Sequence, residues 1–366
     1  HVGLLVRDYC GFYSEKSGNQ VVIVNTASEI PEITGTVHIP GSIVETRLVG
    51  DVLYTASSEY KTSIDAEGKT IWTSGTLITS IQLSDPSKPE KVADIFVPGY
   101  TSAVQATDAF FFVGTRGSYP FYNSELHITD ISNPNGSLQL ESTIKVNGWI
   151  KDKFKINLNN HILSIISEVR GQNGRILNTE LNNYSIKNPS KPDRAGSLRL
   201  GKNESLFATR FDGDRIYIVT FLRIDPLWIV DNTNPYDPQI LGELEIPGWS
   251  TFIHPMGDKL ITMGIDNVGG WKPAVQLFDV SDPANPTLSS KIPLGETWAW
   301  SEANQTEKAF KVFESEGLIL VPVSAWLDEE NLAGTQLIDF NDTTLTKRGL
   351  IEHEFTPRRA TMFNDL

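Results

Sequence analysis

The sequence predicts an all-β chain built as a seven-bladed β-propeller of four-stranded antiparallel blades. Three observations carry that reading. One unit recurs seven times at intervals of roughly 46 to 60 residues, the range of a propeller blade. Each copy divides into four short runs rich in Val, Ile, Tyr and Phe, bounded by Gly, Pro and Asx. No strong helical periodicity competes with them; SEANQTEKAFKVF (301–313) comes nearest.

The copies are IVNTASEIPEITGTVHIPG (23–41), IQLSDPSKPEKVADIFVPG (81–99), TDISNPNGSLQLESTIKVNG (129–148), YSIKNPSKPDRAGSLRLG (184–201), VDNTNPYDPQILGELEIPG (230–248), FDVSDPANPTLSSKIPLG (278–295) and IDFNDTTLTKRGLIEHEF (338–355). In each blade the strands are a, b, c and d. An alternating stretch such as SLFATRFDG is a, and an apolar run such as RIYIVTF is b. After a variable loop, LWIVD is c; a Pro-rich turn and QILGELEIPG, which is d, follow. The chain opens at a b-like strand, GLLVRD, and closes on an a-like strand, PRRATMF (357–363). The expected division is a single domain, 1–366. One blade is split between 1–41 and 357–366, and six others cover 42–99, 100–148, 149–201, 202–248, 249–295 and 296–356. A split blade removes open sheet edges. A chain that starts and ends in mid-blade also fits part of an eight-bladed parent.

At 366 residues the chain exceeds most single compact cores, which agrees with a repeat. The formal charge is −14, and an acidic surface argues against nucleic acid as a partner. No apolar run approaches the ~20 residues of a membrane helix, so no membrane insertion is expected. A single cysteine, Cys10, rules out a disulfide framework or a cysteine-rich zinc site. The opening residues, HVGLLVRDYC, read as mid-fold sequence, so any targeting signal is expected to lie outside this segment.

The stretches RFDGDRIYIVTFLRIDPLWIVDNTNPYDPQILGELEIPGWSTFIHP and VQLFDVSDPANP resemble the bacterial and archaeal secreted proteins that contain a C-terminal β-propeller domain. The likeness is most specific over residues 207–325. The strand–DPxxP–strand unit is more distantly similar to LVIVD-type propeller repeats. The resemblance implies the fold and an extracytoplasmic, cell-surface or secreted location. It implies no catalytic residues.

Asp231, Asn232, Asn234 and Asp237 crowd seven residues of one repeat and suggest a calcium loop. Their columns favour a turn instead. The Asp231 column reads Asn25, Gln82, Asp130, Ser185, Asp231, Asp279 and Asp339, and Asx before Pro caps a turn through its side chain. A calcium loop wants oxygens at positions 1, 3 and 5 and an acid at 12, where Gly242 stands. Calcium stays as the lesser alternative, and no other cofactor or metal is expected.

A second column lies six residues before the second residue of strand b: Arg47, Gln105, Lys155, Arg210, His254, Lys311 and Arg359. Strand a lines the channel of a propeller, so six basic or titratable residues there propose an anion site. The weightier alternative pairs them with carboxylates such as Glu45, Asp51, Asp152, Asp212, Asp214 and Asp258.

In an antiparallel blade the d–a and b–c connections share one face. Seven of the eight tryptophans map to it. Trp149, Trp249, Trp298 and Trp300, with Tyr100, fall in d–a connections. Trp72, Trp271 and Trp326 fall in b–c loops, leaving Trp228 alone in a strand. Repeat-equivalent Trp149 and Trp249 read first as wedges between sheets. Trp72, Trp271 and Trp326 are the first candidates for contact with a protein or glycan partner. No nucleophile elbow, HExxH, P-loop or dinucleotide fingerprint is present, and no catalytic residue is assigned. The b–c acids Asp65, Glu67, Asp225, Asp266, Asp328, Glu329 and Glu330 keep a carbohydrate-active hydrolase or lyase open as the alternative to a non-catalytic recognition or scaffold module.

Overall fold

The computed structural model describes residues 2–6, 19–117, 123–222, 225–268, 270–295, 299–327 and 330–362. They form seven successive antiparallel sheets, each made from strands adjacent in sequence, which is the blade architecture of a β-propeller. The first sheet has three strands, Val2–Val6, Asn19–Asn25 and Glu32–Ile39. The second has Ser42–Val49, Val52–Ile64, Thr70–Gln82 and Glu90–Pro98. The third has Tyr100–Ala106, Phe110–Arg116, Ser124–Asp130 and Gln139–Val146. The fourth has Ile156–Asn159, Ile162–Arg170, Ile176–Ser185 and Asp193–Leu200. The fifth has Ser205–Asp212, Arg215–Phe221, Asp225–Asp231 and Gln239–Ile246. The sixth has Trp249–Met256, Lys259–Asp266, Lys272–Asp279 and Thr287–Pro293. The seventh has Leu318–Leu327, Glu330–Phe340 and Leu345–Glu352, with strand a broken into Ala299–Trp300 and Lys311–Phe313. The closing strand was expected over 357–363; residues 357–362 form no strand, and Phe363 lies outside the described residues.

By contacts the chain divides into two compact units, His1–Arg175 with Glu180–Ala195, and Ile176–Thr179 with Gly196–Leu366. The core of the first includes Tyr54, Phe111, Phe112, Leu126, Ile128, Ile150 and Ile165. That of the second includes Tyr217, Ile229, Ile261, Val275, Ile319 and Val321. Strands b and c are apolar runs buried on both faces, and their residues meet those of the neighbouring sheet.

Two departures from the expected strands have local causes. Asp152 accepts the Phe154 N–H and caps a 3₁₀ turn, Lys153–Lys155, which delays strand a of the fourth sheet to Ile156. In the seventh sheet the helix-like 301–313 becomes two 3₁₀ turns, Glu302–Asn304 and Glu307–Ala309. Ser301 caps the first through its hydroxyl.

The Pro-rich c–d turns are held by their own side chains. Asp231 Oδ1 accepts both the N–H and the hydroxyl of Thr233, and Asn234 Oδ1 accepts the Tyr236 N–H. Asp130 Oδ1 accepts the Ser132 N–H, and Asp279 Oδ1 accepts both the N–H and the hydroxyl of Ser281. The Thr233 bonds hold the Asp231 carboxyl below the usual carboxylate range, and the Lys259 ammonium, with Ser281 after it, does so for Asp279. The stretch from Asp231 to Asp237 is therefore an Asx turn in its geometry.

The turns also fit the neighbouring sheet. A β-bulge displaces one residue of strand d, and the residue after it is small: Gly35, Ala93, Ser142, Gly242, Ser290 and Gly349 stand opposite Ile23, Ser80, Ile128, Ile229, Leu277 and Leu337. Against Gly35, Ser142 and Gly242 lies the next sheet's turn. A Cβ added at Gly242 would stand 2.1 Å from the Pro283 carbonyl oxygen, and one at Gly196 2.5 Å from that of Pro235. Ser142 donates its hydroxyl to the Pro189 carbonyl at 2.6 Å.

Candidate recognition face

Strand pairing sets the d–a and b–c connections of each sheet at one end, and the aromatic residues there behave differently from one another. In the second unit Trp249 opens strand a opposite Ile265 and is buried. Its ring packs on Phe221 at 5.0 Å and Phe207 at 5.7 Å, both from the preceding sheet. Trp249 is thus a wedge between sheets. Trp271 stands edge-on against it, with centroids 5.0 Å apart and planes at 81°, yet remains 66% exposed. Leu222 and Val268, in the b–c connections of the same two sheets, are exposed as well.

In the first unit Trp72 is 69% exposed. It lies in strand Thr70–Gln82, not in a loop: the b–c hairpin of the second sheet stays paired out to Ile64↔Thr70. Strand a joins only as far as Ser58 and strand d only as far as Gly75, so residues 59–74 project as a two-stranded ribbon. Tyr60, Ile64 and Trp72 share one face of it, all exposed. Trp300 and Trp326 also fall within strands, Ala299–Trp300 and Leu318–Leu327, so Trp228 is not alone in a strand. Pairing runs past the sheet ends that turn residues marked. Trp300 is half-buried. The side chain of Trp326, and Trp298, Asp328 and Glu329, lie outside the described residues.

Trp149 sits in a group of charges that sequence reasoning missed. Its backbone bridges that of Glu168 in both directions. The Glu168 carboxylate is fully buried; Lys151 Nζ meets one oxygen at 2.6 Å, and Arg170 Nη2 and Nε meet the other at 2.6 and 2.9 Å. Burial lowers the Lys151 pKa, and Glu168 opposes the shift. The Arg116 guanidinium lies 5.9 Å from the Tyr100 ring and 5.7 Å from that of Trp149. The alternation of Glu168 and Arg170 on one strand face was the available signal, but it does not reveal burial.

Five members of the basic column keep their register, while Lys155 falls in the 3₁₀ turn before strand a. Arg47, Gln105, Arg210, His254 and Lys311 stand opposite Tyr54, Phe112, Tyr217, Ile261 and Leu320 in the a–b pairings. Three members meet carboxylates. Arg47 pairs with Glu45 at 2.8 Å, buried Lys155 with Asp152 at 2.7 Å, and His254 Nε2 with Glu314 at 2.9 Å. Arg210 keeps a buried Nε without a hydrogen-bond partner among the described residues. Arg359 is exposed and lies in no strand. Of the loop acids, Asp266 is held by Lys291 at 2.9 Å and by the Val268 N–H. Among the described residues no three His, Cys, Asp or Glu side chains are arranged to hold a metal ion.

One histidine is buried without a charge partner. His127 bridges Thr115 and Thr143, each at 3.0 Å, and burial pushes its pKa down to about 4. The unfolded chain takes up this proton near pH 6.5 and the folded one does not until about pH 4, so stability falls as pH falls through that window. The loss amounts to about 3 kcal/mol at about 1.4 kcal/mol per pH unit. Chemical denaturation at pH 6.5 and pH 4 is expected to show it, and His127→Gln, which does not titrate, to lose that much less over the same interval.

A family model described as Beta propeller domain matches residues 116–365. An uncharacterized protein of Methanocaldococcus jannaschii is 37% identical over 180 residues, 49% of this chain and 28% of that protein. One from Archaeoglobus fulgidus is 29% identical over 199 residues, 54% of this chain and 30% of that protein. The matched stretches thus span under a third of either relative. Among solved structures, a protein from Lactobacillus plantarum aligns with a TM-score of 0.49 at 14% identity, covering 94% of each chain. A hypothetical selenium-binding protein from Sulfolobus tokodaii aligns with a TM-score of 0.45 at 12% identity, covering 92% of this chain and 87% of that one.

Proposed function

Because the chain belongs to the beta propeller domain family, we propose that it is a non-catalytic recognition or scaffold module, working outside the cytoplasm, that binds a protein or glycan through the face carrying its d–a and b–c connections. The observation behind this reading is Trp271. A ring two-thirds exposed, braced edge-on against a buried tryptophan, is a rigid platform whose free surface loses little side-chain entropy on binding. Exposed Leu222 and Val268 enlarge the apolar surface around it. Trp72, Tyr60 and Ile64 offer a second such surface on the projecting ribbon of the other unit. The extracytoplasmic location rests on the resemblance to secreted propeller proteins, and fractionation of cells producing the whole protein tests it.

Trp271→Ala and Trp72→Ala are the test variants. Both side chains are mostly exposed, so melting is expected to stay within the ~0.5 kcal/mol of a surface change. Binding to glycan arrays or to a cross-linked partner is expected to fall at least tenfold in one of the two. Unchanged binding in both would remove the face from the function. Turnover of a polysaccharide by the wild type would replace the reading with the enzymatic one.

A further inference from the structure

We infer that Asn135 and Asn341 are acceptor sites for asparagine-linked glycans, each at the end of its sheet opposite the recognition face. The inference rests on the extracytoplasmic reading above, because acceptor tripeptides of this kind are used in secreted chains. It adds a covalent modification to that reading.

An asparagine with Ser or Thr two residues on, and no Pro between, is an acceptor tripeptide. Five stand in the chain, headed by Asn135, Asn183, Asn203, Asn304 and Asn341. Tripeptides arise by chance, so geometry has to select among them. A transferase acting on the folded chain must reach the amide nitrogen and find the hydroxyl beside it. Three of the five fail. Asn183 is fully buried in strand c of the fourth sheet, where its Oδ1 accepts the Ser164 hydroxyl at 2.7 Å. Asn304 is half-buried in a 3₁₀ turn, and its Oδ1 accepts the Thr251 hydroxyl at 3.1 Å. Asn203 is exposed, but Ser205 opens strand a opposite Phe221, which holds the hydroxyl-bearing residue in the sheet.

Asn135 and Asn341 pass. Both are exposed residues of c–d turns, in the third and seventh sheets. Asn341 Oδ1 accepts the Thr343 N–H at 2.9 Å, the Thr343 hydroxyl at 3.3 Å and the Thr344 N–H at 2.9 Å. Asn135 Oδ1 accepts the Ser137 N–H at 2.8 Å. Each Asx turn commits the oxygen end of the amide and leaves the nitrogen end clear; among the described residues no acceptor takes either Nδ2. The turns are anchored from beneath. The carbonyl of buried Gly136 accepts the Ser80 hydroxyl at 2.6 Å, while Asn135 and Ser137 on either side stay exposed. Buried Leu345 donates its N–H to Ser290 Oγ at 3.1 Å, while residues 341–344 stay exposed. A bulky, hydrated group on either Nδ2 displaces no packing.

Strand pairing sets the c–d turns at the end of each sheet away from the d–a and b–c connections. A glycan on either turn leaves the recognition end of its own sheet uncovered. The transfer is redox-neutral. A bond forms between Asn Nδ2 and the anomeric carbon of a saccharide, and that carbon's bond to a phosphate oxygen of a lipid-linked pyrophosphate donor breaks. The amide gives up one proton, and the lipid pyrophosphate leaves with the bonding electrons.

Peptide mass spectrometry of the whole protein, recovered from the extracytoplasmic fraction of cells that make it, is the test. Peptides carrying Asn135 and Asn341 are expected to be heavier by a saccharide mass, and those carrying Asn183, Asn203 and Asn304 to be unmodified. Asn341→Gln and Thr343→Ala are each expected to lose the Asn341 saccharide, and Thr343→Ser to keep it. Thr343→Ala retains the amide and changes an exposed side chain, so it reads the tripeptide and not the fold. One unmodified peptide strikes its own site. Two unmodified peptides, in protein found outside the cytoplasm, overturn the inference and leave the location standing. Protein confined to the cytoplasm overturns both. A saccharide on Asn341 that survives Thr343→Ala, or saccharides confined to the other three asparagines, also overturns the inference.

Discussion

Replacing Glu168 with alanine is expected to destabilise the fold by about 3–5 kcal/mol, the cost of breaking a buried ion pair from one side. The carboxylate is fully buried, while Lys151 and Arg170 keep about a fifth of their side chains in contact with solvent. Its removal leaves two cations facing each other in a site already dry enough to lower the Lys151 pKa. Urea denaturation at neutral pH reads the loss as a lower midpoint with an unchanged slope. The pH dependence carries a second signature. Without Glu168 to oppose desolvation, the folded-state pKa of Lys151 drops further below its unfolded value. The unfolded chain then holds more protons than the folded one between those two values, and stability rises with pH across the interval. The deficit of Glu168→Ala is therefore expected to narrow from pH 7 toward pH 10. A deficit that is constant with pH, or below about 1 kcal/mol, would mean that Lys151 and Arg170 are hydrated well enough not to need the carboxylate.

Gly248→Ala is expected to be comparably severe, about 2–5 kcal/mol. Gly248 closes strand d with φ of +99°, and an added Cβ would lie 2.0 Å from the Ile265 carbonyl oxygen. Left-handed backbone costs an alanine about 1–2 kcal/mol. The clash is with main chain, which cannot swing aside, and overpacking adds about 1–3 kcal/mol. Gly148 is its repeat equivalent, at φ +96° and 2.5 Å from the Glu168 carbonyl oxygen. Gly213 makes the control: its φ is also positive, +58°, but nothing lies within 4 Å of an added Cβ. Gly213→Ala is expected to cost only the conformational share. Thermal melts of the three variants separate steric from torsional strain.

Much of this architecture was legible because the same chemistry recurs in every copy. The Asp231 column predicted side-chain-capped turns, and Thr233, Ser132 and Ser281 supply the donors. The basic column predicted equivalent positions on strand a, and the a–b registers of Arg47, Arg210 and His254 agree. What the sequence hides is contact between copies. Trp249 and Trp271 look alike as loop tryptophans. One is buried because Phe207 and Phe221 come from another sheet, and no periodicity of its own strand announces that. Trp72, expected in a b–c loop, stands in a paired strand opposite Thr62. Turn residues show where a hairpin reverses, not how far its strands stay paired beyond the sheet. Glu168 was unremarkable in sequence, since burial of a carboxylate depends on partners 17 residues back in Lys151 and two ahead in Arg170.

The small residue after each strand-d bulge has a consequence for cooperativity. Gly242 meets the Pro283 turn, Gly196 the Pro235 turn and Ser142 the Pro189 turn, so the third, fourth and fifth sheets are each keyed to the next sheet's turn by the volume of one side chain. Free energy in such an array is a sum of local terms and nearest-neighbour couplings. A methyl group introduced at Gly242 would weaken one coupling and leave the intrinsic stability of distant sheets untouched. Amide exchange would then show a loss of protection concentrated in the fifth and sixth sheets, as a chain of linked springs yields first at its loosened joint.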